Sequence, residues 1–135
     1  LIIGIVTAGC IGVKTPPISH TPAPALFIDY YRTGGIAGLN DRLVIFDNGV
    51  AVVSTKTSSK EMVLNTSAID RLTNIFTQAQ FSILQENYPA PRGGADLIKY
   101  TINYHGKTVT TEDSAIPPSL LPVIDELNGY IKTAT

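Results

Sequence analysis

Asp41-Arg42-Leu43-Val44-Ile45-Phe46-Asp47-Asn48-Gly49-Val50-Ala51-Val52-Val53-Ser54-Thr55 holds two runs rich in β-branched and aliphatic residues on either side of Asp47-Asn48-Gly49. Asn and Gly tolerate positive φ, so the triplet reads as the turn of a β-hairpin with strands over residues 41–46 and 50–55. Upstream, Leu26, Ile28 and Tyr30 alternate with Phe27, Asp29 and Tyr31, which predicts a strand running into the glycine-rich loop Gly34-Gly35-Ile36-Ala37-Gly38. Downstream, residues 61–64 form a short strand candidate. Ser67, with Asp70 three positions on, then caps a helix whose apolar face is Ile69, Leu72, Ile75, Phe76 and Ala79.

Residues 86–94 carry Pro89, Pro91, Gly93 and Gly94 and read as a loop. Ile98, Tyr100, Ile102 and Tyr104 share one side of a further strand, which His105-Gly106 turns back into a strand over residues 107–111. Pro117 and Pro118 lead to a last helix with Ser119 as its cap and Pro122 in its first turn, where no donated hydrogen bond is needed. Leu120, Leu121, Ile124, Leu127 and Ile131 give that helix a buried stripe. The sum is an α+β domain over residues 25–135. Its expected form is an antiparallel sheet of about four strands in two hairpin regions, packed with two helices in the order ββ…α-ββ-α.

The chain has 135 residues, 10 basic and 11 acidic, with 44% hydrophobic residues, one cysteine and no tryptophan. That suits one domain of ordinary size plus a tail. A formal charge of -1 without a basic run argues against nucleic acid as a partner, because such binding rests on clustered Lys and Arg. A lone cysteine forms no internal disulfide and no multi-thiolate zinc site.

Residues 1–10 are apolar and small, carry no charge and end at Cys10. At about 20 residues for a span, they are too short to cross a bilayer. The segment resembles the end of a lipoprotein signal, in which small residues precede a cysteine that is lipidated after cleavage, although Thr7 stands where a larger aliphatic residue is usual. A plain signal end or a hydrophobic stub is the alternative. Without a methionine at position 1, the sequence reads as starting within a longer precursor. Residues 11–24, with Pro16, Pro17, Pro22 and Pro24, read as a spacer, in which His20 is an exposed linker residue.

A search for chemistry finds little. His105 is the one histidine of the domain and sits in a turn. There is no Gly-x-Ser-x-Gly elbow and no His-Glu-x-x-His helix. The glycine cluster lacks the Gly-Lys-Ser/Thr of a phosphate loop and precedes a strand rather than a helix. Asp47, Glu112 and Asp113 fall in or beside turns. Asn65-Thr66-Ser67 fits a glycosylation acceptor, but is equally a helix start. The expected reading is a non-enzyme with neither cofactor nor metal.

Tyr31-Arg32-Thr33-Gly34-Gly35-Ile36-Ala37-Gly38-Leu39 resembles a run in the emfourin family, small proteinaceous inhibitors of thermolysin-like zinc metallopeptidases such as protealysin. The likeness continues in the helix over residues 69–76 and in Gly94-Ala95-Asp96-Leu97-Ile98-Lys99-Tyr100-Thr101-Ile102. It goes on through Glu112-Asp113 and Pro118-Ser119-Leu120-Leu121-Pro122 to Leu127, and so covers nearly all of residues 25–132. Members usually lack a long leader, so residues 1–24 are a departure.

The resemblance implies a monomeric, non-covalent inhibitor whose target-binding residues are Arg32, Thr33, Gly34, Gly35, Ile36, Ala37, Gly38 and Leu39. The glycine loop would carry Ile36 or Leu39 into the apolar pocket beside the enzyme's zinc. The turns Asp47-Asn48-Gly49 and His105-Gly106 become helpers if the fold puts them on the same edge. Ile36 and Leu39 are otherwise ordinary core residues above a bulge, and Arg32 either anchors a carboxylate across the sheet or meets the partner. With Cys10 lipidated, the protein would be an exported, membrane-anchored cell-surface lipoprotein. The alternatives are an envelope-associated binding or assembly module without inhibitory action and, more remotely, a small-molecule carrier with an apolar pocket between sheet and helices.

Overall fold

The computed structural model describes residues 9–92, 94 and 96–135, so most of the leader, residues 1–8, lies outside the described part. Residues 11–24 are exposed and without regular structure. The folded part contains seven strands: β1 (Leu26–Gly34), β2 (Leu39–Phe46), β3 (Val50–Ser54), β4 (Ser59–Val63), β5 (Asn87–Tyr88), β6 (Ile98–Tyr104) and β7 (Lys107–Glu112). Two helices, α1 (Thr66–Gln78) and α2 (Leu121–Ala134), follow β4 and β7. The fold is α+β, but the sheet is larger than the expected four strands, with the order β4-β3-β2-β1-β6-β7-β5.

The enlargement comes from β1. Its register pairs Tyr30 with both Leu43 of β2 and Ile102 of β6, so the two expected hairpin regions fuse across one central strand into a single sheet. The sheet is also mixed rather than antiparallel throughout, since β5 runs parallel to β7. Those two residues fall in the stretch read as a loop.

Side chains alternate along each strand, so register decides which residues form a row under the helices. Val53, Leu43, Tyr30, Ile102 and Val109 lie side by side across five strands, and all are buried. A parallel row runs through Ala51, Ile45, Ile28 and Tyr104. Leu72 and Phe76 of α1, with Val123, Ile124, Leu127 and Ile131 of α2, close over these rows. Each such side chain contributes about 1.5–3 kcal/mol on burial. The other face carries Asp29, Tyr31, Arg42 and Thr101; there Arg42 donates twice to Asp29, at 2.9 and 2.8 Å, and lies over the Tyr31 ring.

Both helix starts differ from expectation. The N-cap of α1 is Asn65, whose side-chain oxygen accepts from the Ala68 amide at 2.9 Å, so Ser67 already lies inside the helix. α2 follows a single helical turn over Pro118–Leu120 and has no side-chain cap, so Ser119 does not cap it. In its stripe, Leu121 is 43% exposed, whereas Val123 takes a buried position.

These assignments are separable by mutation. Asn65→Ala should lower unfolding stability by about 0.5–2 kcal/mol, as loss of a cap does. Ser67→Ala should stay within about 0.5 kcal/mol of the parent. Urea denaturation of both variants checks the difference.

Candidate functional site

The candidate site lies where β1 turns into β2. Residues 35–38 make a tight turn closed by the Gly38 amide donating to the Gly35 carbonyl at 2.9 Å. Gly35 and Gly38 both have positive φ, 71° and 56°. The turn is tied sideways as well, since the Gly35 amide donates to the Leu97 carbonyl at 3.2 Å. The chain entering β6 therefore braces the turn. That approach is why position 34 is glycine: a methyl group there would sit 2.7 Å from the Leu97 oxygen, and φ is 92°.

The eight predicted residues divide into three groups. Ile36 is 88% exposed at the tip of the turn, with Ala37 exposed beside it. Gly34, Gly35 and Gly38 shape the turn. Arg32, Thr33 and Leu39 belong to its base. Thr33 pairs with Asn40 and Lys99 and is half-buried, and Leu39 pairs with Gly34 on the helix side of the sheet and is also half-buried. Of the two candidate plugs, Ile36 projects and Leu39 does not.

Arg32 resolves toward the anchoring role. Its Nε donates to Asp41 Oδ2 at 2.7 Å, directly across β1 and β2, and its Nη1 donates to Asn128 Oδ1 of α2 at 3.2 Å. The Tyr30 hydroxyl donates to the same Asn128 oxygen at 2.8 Å. One strand pair over, the Tyr100 hydroxyl donates to Asp113 Oδ1 at 2.7 Å, and the Ile98 amide donates to Asp113 Oδ2 at 3.1 Å. Burial pushes both phenols well above their ordinary 10.0, with the neighbouring Tyr100 adding to the effect at Tyr30 and the Asp113 hydrogen bond adding to it at Tyr100. Both hydroxyls therefore remain protonated and keep donating throughout the neutral range.

The sequence reading does not bring this polar row beneath the turn together. Asp41, Asn128, Tyr30, Tyr100 and Asp113 form it with Arg32. Asn128 offers a sequence cue: it stands four residues after buried Ile124, on the stripe of α2, where a polar side chain needs a partner.

The turns proposed as helpers lie elsewhere. Leu26 pairs with Phe46 and Ile28 with Tyr104, so Asp47-Asn48-Gly49 and His105-Gly106 flank the start of β1, at the opposite end of the sheet from Ile36. The turn between β3 and β4 lies on the Ile36 edge instead and brings the Lys56 ammonium close to Gly38. Asp96 and Leu97 stand on the other side. Ala95 of the run from Gly94 to Ile102, and Gly93 before that run, lie outside the described residues. Cys10 is exposed and unpaired. Among the described residues, no helix is long and apolar enough to cross a membrane, and no group of three or more His, Cys, Asp or Glu side chains is arranged to hold a metal ion.

The anchoring role has a measurable signature. Arg32→Leu leaves Asp41 buried and unpaired and should cost about 3–5 kcal/mol. The double variant Arg32→Leu with Asp41→Leu removes both charges and should recover part of that loss. Equilibrium unfolding of the two variants checks the order. No family model matches this chain, and no curated protein matches it.

Proposed function

We propose that the domain is an emfourin-like, non-covalent inhibitor of thermolysin-like zinc metallopeptidases, carried at the cell surface by a lipid on Cys10. The observation that carries this reading is Ile36, a large aliphatic side chain 88% exposed at the tip of a turn bonded on two sides. Peptidases of this type favour a bulky apolar residue just past the scissile bond, in a pocket beside the zinc. Ile36 suits that pocket, and the turn around it is closed by its own hydrogen bond, whereas a cleavable peptide must lie extended. The protein needs no catalytic group for this. It fills the groove and offers no bond in the geometry that reaction requires.

One side chain supplies about 1.5–3 kcal/mol. Stable inhibition calls for about 800 Å² on each partner. The flanking Lys56 turn and Asp96-Leu97 lie on the same edge and extend the contact. At about 3.1 Å per residue, an extended spacer over residues 11–24 would hold the start of β1 up to about 40 Å from a membrane, with the Ile36 edge at the far end of that strand.

Titrating the protein against a thermolysin-like peptidase should abolish peptide hydrolysis near one equivalent. Ile36→Asp, on an exposed position, should leave the fold intact and weaken inhibition by at least about ten-fold, the loss of about 1.4 kcal/mol or more. Full inhibition by a folded Ile36→Asp variant would overturn the assignment of the turn. Recovery of an envelope structural protein rather than a peptidase would favour the binding-module alternative. The anchor is tested apart from this: expressed with its export signal, the parent should partition with membranes and Cys10→Ser should be released. Retention of the Cys10→Ser form would argue for an uncleaved apolar segment.

A further inference from the structure

At the end of the sheet opposite Ile36 there is a cavity of about 490 Å³ between the end of α1, the helical turn Phe81–Ile83 and the β6–β7 turn. That volume falls within the usual range for small-molecule sites, about 300–1,000 Å³. Its base is backed by the aromatic core: buried Phe76 stacks with half-buried Tyr104 at 4.1 Å, and buried Phe81 meets both edge-on at 5.1 and 5.9 Å, so that Tyr104, Ile83 and His105 present the accessible apolar surface. Ile83, 74% exposed, stands at the mouth. On the wall the Lys107 ammonium donates to the Ser82 carbonyl at 2.8 Å and to the Leu84 carbonyl. An ammonium has three donors, so one remains for a further acceptor. The side chains around the cavity include a lysine and a histidine but no carboxylate.

A second, independent feature marks the same place. Among the described residues, Gln80 and His105 are the only non-glycine residues with positive φ, 50° and 49°, and both line this cavity. Gln80 follows the cap of α1, and His105 opens the turn completed by Gly106; glycine or asparagine is the usual occupant of such positions. Glycine at either would relieve the backbone and remove a wall of the cavity. Strain retained at two points around one cavity fits side chains kept for contact.

We propose that this cavity binds a small aromatic carboxylate, its ring against Tyr104, Ile83 and His105 and its carboxylate on Lys107. The wall of Tyr104, Ile83 and His105 suits a flat apolar body, and the cation with no carboxylate among the lining residues suits an anionic head. This site does not depend on the inhibitor reading, because β1 separates it from the Ile36 turn by the length of the sheet.

Naphthoate and its neutral counterpart naphthamide, titrated into the full chain and followed by NMR, test the proposal. Naphthoate should shift the Ile83, Tyr104 and His105 side-chain signals saturably and bind at least about ten-fold more tightly than naphthamide. Lys107→Met should abolish that preference. Should that variant lose its fold, Ile83→Glu at the exposed mouth keeps the test open, with a further expected loss of about ten-fold. Gln80→Gly and His105→Gly should each raise Tm while weakening naphthoate binding. The site is refuted by the absence of saturable shifts, by equal affinity for the two probes, or by unchanged naphthoate affinity in Ile83→Glu or in both glycine variants. Naphthoate-induced shifts confined to Ile11, Val13 and Ile18 would place the probe on the linker and refute it as well.

Discussion

The Arg32 guanidinium joins three elements at one point: β1, which carries it, β2 through Asp41, and α2 through Asn128. Elsewhere the helices meet the sheet through apolar side chains, whose attraction has little direction. A charge-assisted hydrogen bond has both direction and length, and a bond to a charged group contributes about 1.5–3 kcal/mol. The exposed turn begins just beyond this point, so the angle at which β1 and β2 leave the core is fixed against α2. Without that clamp, a turn built of three glycines and two small or aliphatic residues would have little reason to hold one shape.

The apolar rows and the polar row divide the labour. Tyr30, Ile28, Leu43 and Ile102 bury fully and supply the stability. The row made by Asp41, Arg32, Tyr100 and Thr111 contributes less net energy, since desolvating charges offsets much of the attraction. What it contributes is register. Sliding β2 by one residue would move Asp41 to the open face and leave Arg32 without its partner. Leu97 and Asp113 give the turn a second brace from β6, so Ile36 stands on a base held from both sides.

Much of this architecture was legible in the chain, and the failures have physical causes. The β-branched and aliphatic runs beside Asp47-Asn48-Gly49 located β2 and β3 and their turn, His105-Gly106 led to β7, and period-two alternation located β1 and β6. It could not reveal that β1 has strands on both sides, because pairing is a long-range property that alternation in one strand does not encode. β5 is two residues just ahead of Pro89 and Pro91, held by tertiary contact with β7, including the Thr110 amide to the Glu86 carbonyl at 2.9 Å. Asn65 and Ser67 are both good caps, and only the backbone geometry chooses between them. For the candidate site, the glycines announced a turn and left open which apolar residue would project. The alternation of β2 does assign Leu39 to the helix side, through Asp41, Leu43 and Ile45, which leaves Ile36 to the solvent.

The central claim is that the turn over residues 35–38 is the surface that meets a zinc peptidase. Amide hydrogen exchange of the full chain, with and without an equimolar thermolysin-like enzyme, reads this directly. The account predicts slowed exchange at Ile36, Ala37 and the neighbouring Lys56 turn, with the β1-start turns at Asn48 and His105 unchanged. Unaltered exchange at Ile36 in an enzyme-bound protein, or protection confined to the Asn48 and His105 end, would contradict it.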